Sequence, residues 1–162
     1  MTALISSHWI AGDRMPKSLS DPRARQELLD RMKRLKPDAR PRWGRMSAPQ
    51  MLVHLVDWMA MASGELPVAS KKLVLRHTPI KQLLIYWLPF PKGVPTAPEL
   101  LARAPSEWGT EYASACDTVR KFEGLYAKGQ WPEHPAFGTL TSRAWAVLAY
   151  RHTDHHLRQF GV

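Results

Sequence analysis

Apolar residues recur at steps of three and four along four long stretches of this chain, and strict alternation appears nowhere at useful length, which predicts helices and no sheet. Asp21-Pro22 pairs a capping acid with proline at the first helical position. Ala24, Leu28, Met32 and Leu35 then follow at helical spacing until Pro37. Ser47-Ala-Pro-Gln50 reads as a capping box opening a second helix through Met51, Leu55, Trp58 and Ala62, with Gly64 as its terminator. Ser106 is the expected cap of a third, whose seam runs Trp108, Tyr112, Ala115, Val119, Phe122 and Tyr126 to Gly129. Thr141 caps a fourth, which carries Trp145, Leu148, Ala149, His152 and His156 to Gln159.

Between the second and third helices the pattern breaks. Thr78-Pro79 opens a short helix through Leu84 and Trp87, and Pro89, Pro91, Pro95, Pro98 and Pro105 then exclude regular structure. A connection of this length reads as a crossover over one end of the helices. Val68 to Leu75 carries no clear pattern. The expectation is an all-α chain forming one domain over residues 1–162, with residues 1–20 as an N-terminal extension.

At 162 residues and 44% hydrophobic, the chain is long enough to bury roughly two thirds of its unfolded surface. Cys116 is its sole cysteine, which excludes an internal disulfide and any multi-cysteine zinc site; it reads as a small core residue. Ser6, Ser7, His8 and Asp13 interrupt the start where a secretion signal needs an apolar run. No stretch approaches the ~20 apolar residues of a membrane span. A soluble cytoplasmic protein with no membrane partner is therefore expected.

Net charge is +9, and 11 of the 23 basic residues lie between Arg14 and Arg45. Such a cluster can bind nucleic acid or an anionic substrate. It lacks interleaved exposed aromatics and any recognisable nucleic-acid-binding module, so a solvated helix face with a basic loop is the preferred reading.

The chemistry concentrates in the histidines. His152 and His156 stand one helical turn apart, about 40° from each other, on the side of the last helix defined by Trp145 and Ala149. Buried imidazoles must be hydrogen-bonded or ligated, and a shared cation satisfies both. His54, on the second helix near Trp58 and Met61, could supply a third nitrogen and leave positions open for water or substrate. Spacing alone does not choose between this and two plainly hydrogen-bonded core histidines. Thr153 stands where a zinc protease would carry its catalytic glutamate, which argues against that chemistry.

His54 followed by His152-x-x-x-His156 and Leu157-Arg158-Gln159 resembles the DinB-like, or YfiT-like, superfamily of helical metal-binding proteins. Trp43-Gly-Arg-Met-Ser-Ala-Pro-Gln-Met-Leu-Val-His54 and the stretch from Trp131-Pro-Glu-His-Pro-Ala-Phe-Gly-Thr-Leu140 to His152-Thr-Asp-His-His-Leu-Arg-Gln-Phe-Gly161 are similar to an uncharacterised branch of it. The resemblance covers about residues 20 to 162. It implies a four-helix bundle with a long crossover, and His54, His152 and His156 as ligands of a divalent metal ion, nickel or zinc. It also implies a homodimer, and thiol-dependent transferase or related chemistry. Relatives often read His-Arg-Gly-Gln after the second histidine, where this chain has His156-Leu157-Arg158-Gln159, so the roles of groups behind the ligands do not carry over directly.

Three readings follow: a metal-dependent hydrolase or thiol transferase acting on a small molecule, a noncatalytic metal or small-molecule binding module, and, ranked last, a basic nucleic-acid-binding protein. Asp57, one turn after His54, and His134, in the Glu-His-Pro loop, are the accessory candidates for orienting a ligand or moving a proton. For each, an ordinary structural role is preferred: a polar edge for Asp57, loop ordering for His134. Trp58, Met61 and Trp145 are candidates for an apolar wall around the ion, though they read more simply as core.

Overall fold

A computed structural model describes residues 15–70, 74–93 and 95–162. The expected extension over residues 1–20 falls mostly outside the described residues. Those described form five helices and no strand: α1 (Pro22–Met32), α2 (Ala48–Ser63), α3 (Ile80–Tyr86), α4 (Trp108–Lys128) and α5 (Ser142–Gln159).

The helix ends follow from local chemistry. Asp21 accepts from the Arg23 amide at 2.9 Å with Pro22 behind it, and the Ser47–Gln50 capping box closes in both directions. Gly64 and Gly129 end their helices at φ 84° and 64°, conformations that a Cβ would strain. Two boundaries differ from expectation. Helix α1 stops at Met32, because Arg34 and Leu35 bond back three residues in tight turns and Lys36 precedes a proline; Leu35 is still buried. Glu107, not Ser106, caps α4, accepting from the Thr110 amide at 3.1 Å; Ser106 instead gives both its amide and its hydroxyl to the buried Glu111.

Helix α2 packs on α4 and α5, α1 packs on the same two helices from elsewhere, and α3 lies across α5. Leu28, Met32, Met51, Leu52, Phe122 and Leu157 fill the interior. Trp145 is fully enclosed, stacked on Trp131 at 5.5 Å and edge-on to Trp58 at 5.8 Å. Cys116 is buried in the same core. The crossover is more ordered than its prolines suggested. It carries α3 and two 3-10 turns, Val74–Arg76 and Pro98–Leu101, the second opened by Pro98 itself.

Charges tie the helices together as well as solvating them. Asp154, expected on the outer face of α5, has a side chain only 16% exposed and is held by Arg31 of α1 at 2.6 Å and by Arg158 at 3.0 Å. Arg25 reaches Glu123 of α4 at 2.6 Å and the Leu19 carbonyl at 2.8 Å. Several cations of the Arg14–Arg45 cluster are therefore engaged within the fold: Lys17 pairs with Glu27, and Lys33 with Asp30.

Candidate metal centre

Helix α2 presents His54 and helix α5 presents His152 and His156, and the contact between these helices brings the rings together. Their centroids lie 5.0 Å (His54–His152), 4.8 Å (His54–His156) and 4.7 Å (His152–His156) apart. One nitrogen from each can be chosen so that all three lie within 4.8 Å of one another. Two nitrogens on one ion at about 2.1 Å are separated by no more than ~4 Å, so small ring movements complete a coordination sphere.

The hydrogen bonds fix which nitrogen is offered. His54 Nδ1 faces the Leu100 carbonyl at 3.3 Å, and a carbonyl only accepts, so Nδ1 carries the proton and Nε2 keeps its lone pair. Gln159 donates from Nε2 to the Trp43 carbonyl at 2.7 Å, which turns its Oε1 toward His156 Nδ1 at 2.8 Å. His156 Nδ1 is then the donor, and its Nε2 too is left free. His152 Nε2 is completely enclosed and has no hydrogen-bond partner. An enclosed ring nitrogen with nothing to bond is the kind of orphan that a cation satisfies. The His152 ring stacks on Trp58, centroids 4.8 Å apart and planes 18° apart, so Trp58 forms one wall of the centre as well as part of the core.

Burial lowers the proton affinity of all three rings. His54 is pushed down by desolvation against the Leu100 hydrogen bond and the Asp57 charge, which act the other way. His156 falls to about 3, from desolvation and then from His54. His152 lies well below the usual range, from desolvation and the neighbouring imidazoles. At neutral pH the three are uncharged, the state in which imidazole binds metal.

The accessory candidates sit differently from each other. Asp57 is buried, and its Oδ1 accepts from Arg103 at 3.2 Å. Arg103 also donates to both oxygens of Glu111, a carboxylate 1% exposed on α4, at 2.8 and 3.0 Å. This clasp tethers the chain just after Leu100, whose carbonyl receives His54. Its position behind the ligand was not legible in the sequence. His134 is buried, and its Nδ1 accepts the amides of Ala136 and Phe137 at 3.1 and 3.3 Å, while its backbone exchanges two hydrogen bonds with Gly138. It orders its own loop. Its ring rests on Trp145 at 5.2 Å, and its remaining nitrogen carries the proton.

Two expected outcomes follow from these supports. Gly44 has φ 78°, and a Cβ there would lie 2.7 Å from Gln159 Nε2, inside the contact that orients His156. Gly44→Ala is expected to weaken metal binding about tenfold in a competitive chelator titration, the scale at which support of a ligand imidazole acts. Arg103→Met leaves Glu111 and Asp57 without their cation. Because Arg103 is 42% exposed, a loss of about 2 kcal/mol in urea unfolding is expected, below the range for fully enclosed pairs.

A family profile described as "Protein of unknown function (DUF1569)" matches residues 15–161. The chain belongs to the DUF1569 family. No curated protein and no solved structure matches it. The matched span contains the whole of the histidine centre, its Trp43–Gly44 and Gln159 supports and the Arg103 clasp, so in this DUF1569 chain the site lies inside the family domain. No helix among the described residues is long and apolar enough to cross a membrane.

Proposed function

We propose that His54, His152 and His156 hold a divalent transition metal ion, nickel or zinc, and that the protein is a metal-dependent hydrolase or thiol-dependent transferase acting on a small molecule, in a four-helix bundle of DinB type. The observation that carries this reading is the enclosed, partnerless Nε2 of His152, on a ring whose centroid lies 5.0 and 4.7 Å from two imidazoles whose tautomers are already set with Nε2 free. Three neutral nitrogen donors suit such ions and leave coordination positions for water or substrate. Bound there, an ion supplies Lewis acidity, lowering the pKa of a coordinated water or holding a thiol as thiolate. The chain's own residues do the rest. Leu100 and Gln159 keep the ligand rings in register, Trp58 walls one side against solvent, and His134 keeps its proton on the nitrogen that its loop does not use.

One set of contacts favours a second reading, a noncatalytic metal-binding module. Asp57 and Glu111 are committed to Arg103, and His134 Nδ1 to its loop, so neither accessory candidate is a free base beside the ion. The third reading, nucleic-acid binding through the basic N-terminal region, is weakened by the internal pairing of Arg25 and Arg31. Substrate turnover assayed on ester and thiol-acceptor panels with zinc- or nickel-loaded protein separates the first two. Turnover abolished in His152→Ala supports the enzyme; stoichiometric ion with no turnover on any member supports the module.

A further inference from the structure

The apolar surface of the helical crossover points the wrong way for a core. Ile80 and Leu83 of α3 and Trp87, the residue that caps its C-terminus, share one stripe at helical spacing, while Ile85, on the opposite side, is the residue buried against the fold. Trp87 is 69% exposed, Leu83 45% and Leu88 46%. Four of the six large hydrophobic residues exposed among the described residues lie between Ile80 and Leu88.

The sequence flanking this stripe is one-sided in charge. From Leu66 to Pro98 the chain contains no Asp or Glu, yet it carries Lys71, Lys72, Arg76, Lys81 and Lys92. Arg76 is paired with Glu133 at 2.7 Å. Lys81 donates to the Thr139 carbonyl, which leaves its charge uncompensated, and Lys92 lies over the Trp43 ring at 4.5 Å. The helix is also pinned in place: Arg151 of α5 donates to the carbonyls of Leu84, Ile85 and Leu88 and stacks on Phe90 at 4.8 Å. The stripe is thus presented on a fixed support.

We infer that α3 is a docking surface for an anionic lipid bilayer, with Ile80, Leu83, Trp87 and Leu88 inserting at the interface and Lys81 and Lys92 facing acidic headgroups. The chemistry selects this occupant over two others. A second copy of the chain would set Lys81 and Lys92 against the same lysines of its partner, with the neighbouring Glu133 already paired to Arg76, an arrangement that repels. Nucleic acid would match the charge but gives aliphatic Ile80, Leu83 and Leu88 nothing to bury in, whereas a headgroup–acyl boundary takes aliphatic side chains, tryptophan and lysine together. A surface helix needs no transmembrane length, so the want of a spanning segment does not bear on it. The inference is independent of the metal reading.

The test is co-sedimentation of the purified full chain with vesicles of phosphatidylcholine alone and of phosphatidylcholine with 30% phosphatidylglycerol, beside the double variant Trp87→Ser/Leu88→Ser and the charge variant Lys81→Glu. Both sites of the double variant are exposed, and circular dichroism checks its fold. Wild type is expected to bind the anionic vesicles at least tenfold more tightly than the neutral ones, with the double variant reduced at least tenfold and Lys81→Glu several-fold. Equal partition of wild type and double variant overturns the inference, as does failure of wild type to bind either vesicle. So does a dimer in analytical ultracentrifugation, or binding to a duplex oligonucleotide, that the double variant abolishes while vesicle binding is absent.

Discussion

His152→Ala is expected to abolish stoichiometric metal binding while leaving the metal-free protein close to wild-type stability. Two costs oppose each other in the metal-free state. Truncating the ring opens space beside Trp58, a cavity cost on the order of 1 kcal/mol or more, but it also removes an enclosed nitrogen that has no hydrogen bond, a desolvation penalty of about 1–3 kcal/mol. The difference appears once metal is added. An ion at 1,000 times its dissociation constant stabilises the native state by about 4 kcal/mol, which for a domain of this size raises the melting temperature by roughly 10 °C. Scanning calorimetry of wild type with and without zinc or nickel is expected to show that rise, and His152→Ala is expected to show none. A core histidine predicts the reverse: no response to metal in either protein and a large loss of stability on truncation.

Acid is expected to destabilise the metal-free protein steeply, and His134 supplies a separable part of that effect. Burial holds His134 at about 4 from an ordinary value of 6.5. Above pH 6.5 both folded and unfolded chains carry it neutral, and its full contribution to stability is present. As pH falls from 6.5 toward 4 the unfolded chain takes up the proton and the folded one does not. Stability declines by about 1.4 kcal/mol per pH unit for this one group, on the order of 3 kcal/mol across the window, and the decline flattens below it. His54, His152 and His156 are displaced in the same direction and add to the slope in the metal-free state. Urea unfolding at pH 7, 6, 5 and 4 checks this, with His134→Gln expected to show a shallower slope by close to one proton. An unchanged slope in that variant would show that its ring is not kept neutral by the fold.

Much of the architecture was legible because the capping chemistry is local. Asp21-Pro22, the Ser47–Gln50 box, Thr141 and the terminal glycines each act within four residues of themselves. The convergence of His54 on His152 and His156 was legible from periodicity plus resemblance, since both helices place those positions on apolar faces. What escaped was set by tertiary contacts. Ser106 is a better intrinsic cap than Glu107, yet its hydroxyl donates to Glu111 in the first turn of α4, a carboxylate that Arg103 also holds. Asp154 falls on the polar side of α5 by spacing, but α1 lays Arg31 over it. Gln159 stands three residues after His156, a helical neighbour whose role could have been read from the i, i+3 spacing. The Leu100 carbonyl behind His54 has no side-chain signature at all; only the folded crossover places it. The outward stripe of α3 read as an ordinary short helix, because periodicity gives a face without saying whether anything lies against it.

The central claim is that three imidazoles on two helices form one ion site. Elemental analysis of protein purified without a metal-affinity tag, as wild type and as His54→Ala, His152→Ala and His156→Ala, tests it most directly. About one nickel or zinc per chain in wild type, and a sharp fall in each variant, is the predicted result. Metal content that is near zero in wild type even after incubation with either ion, or unchanged across the three variants, would contradict it.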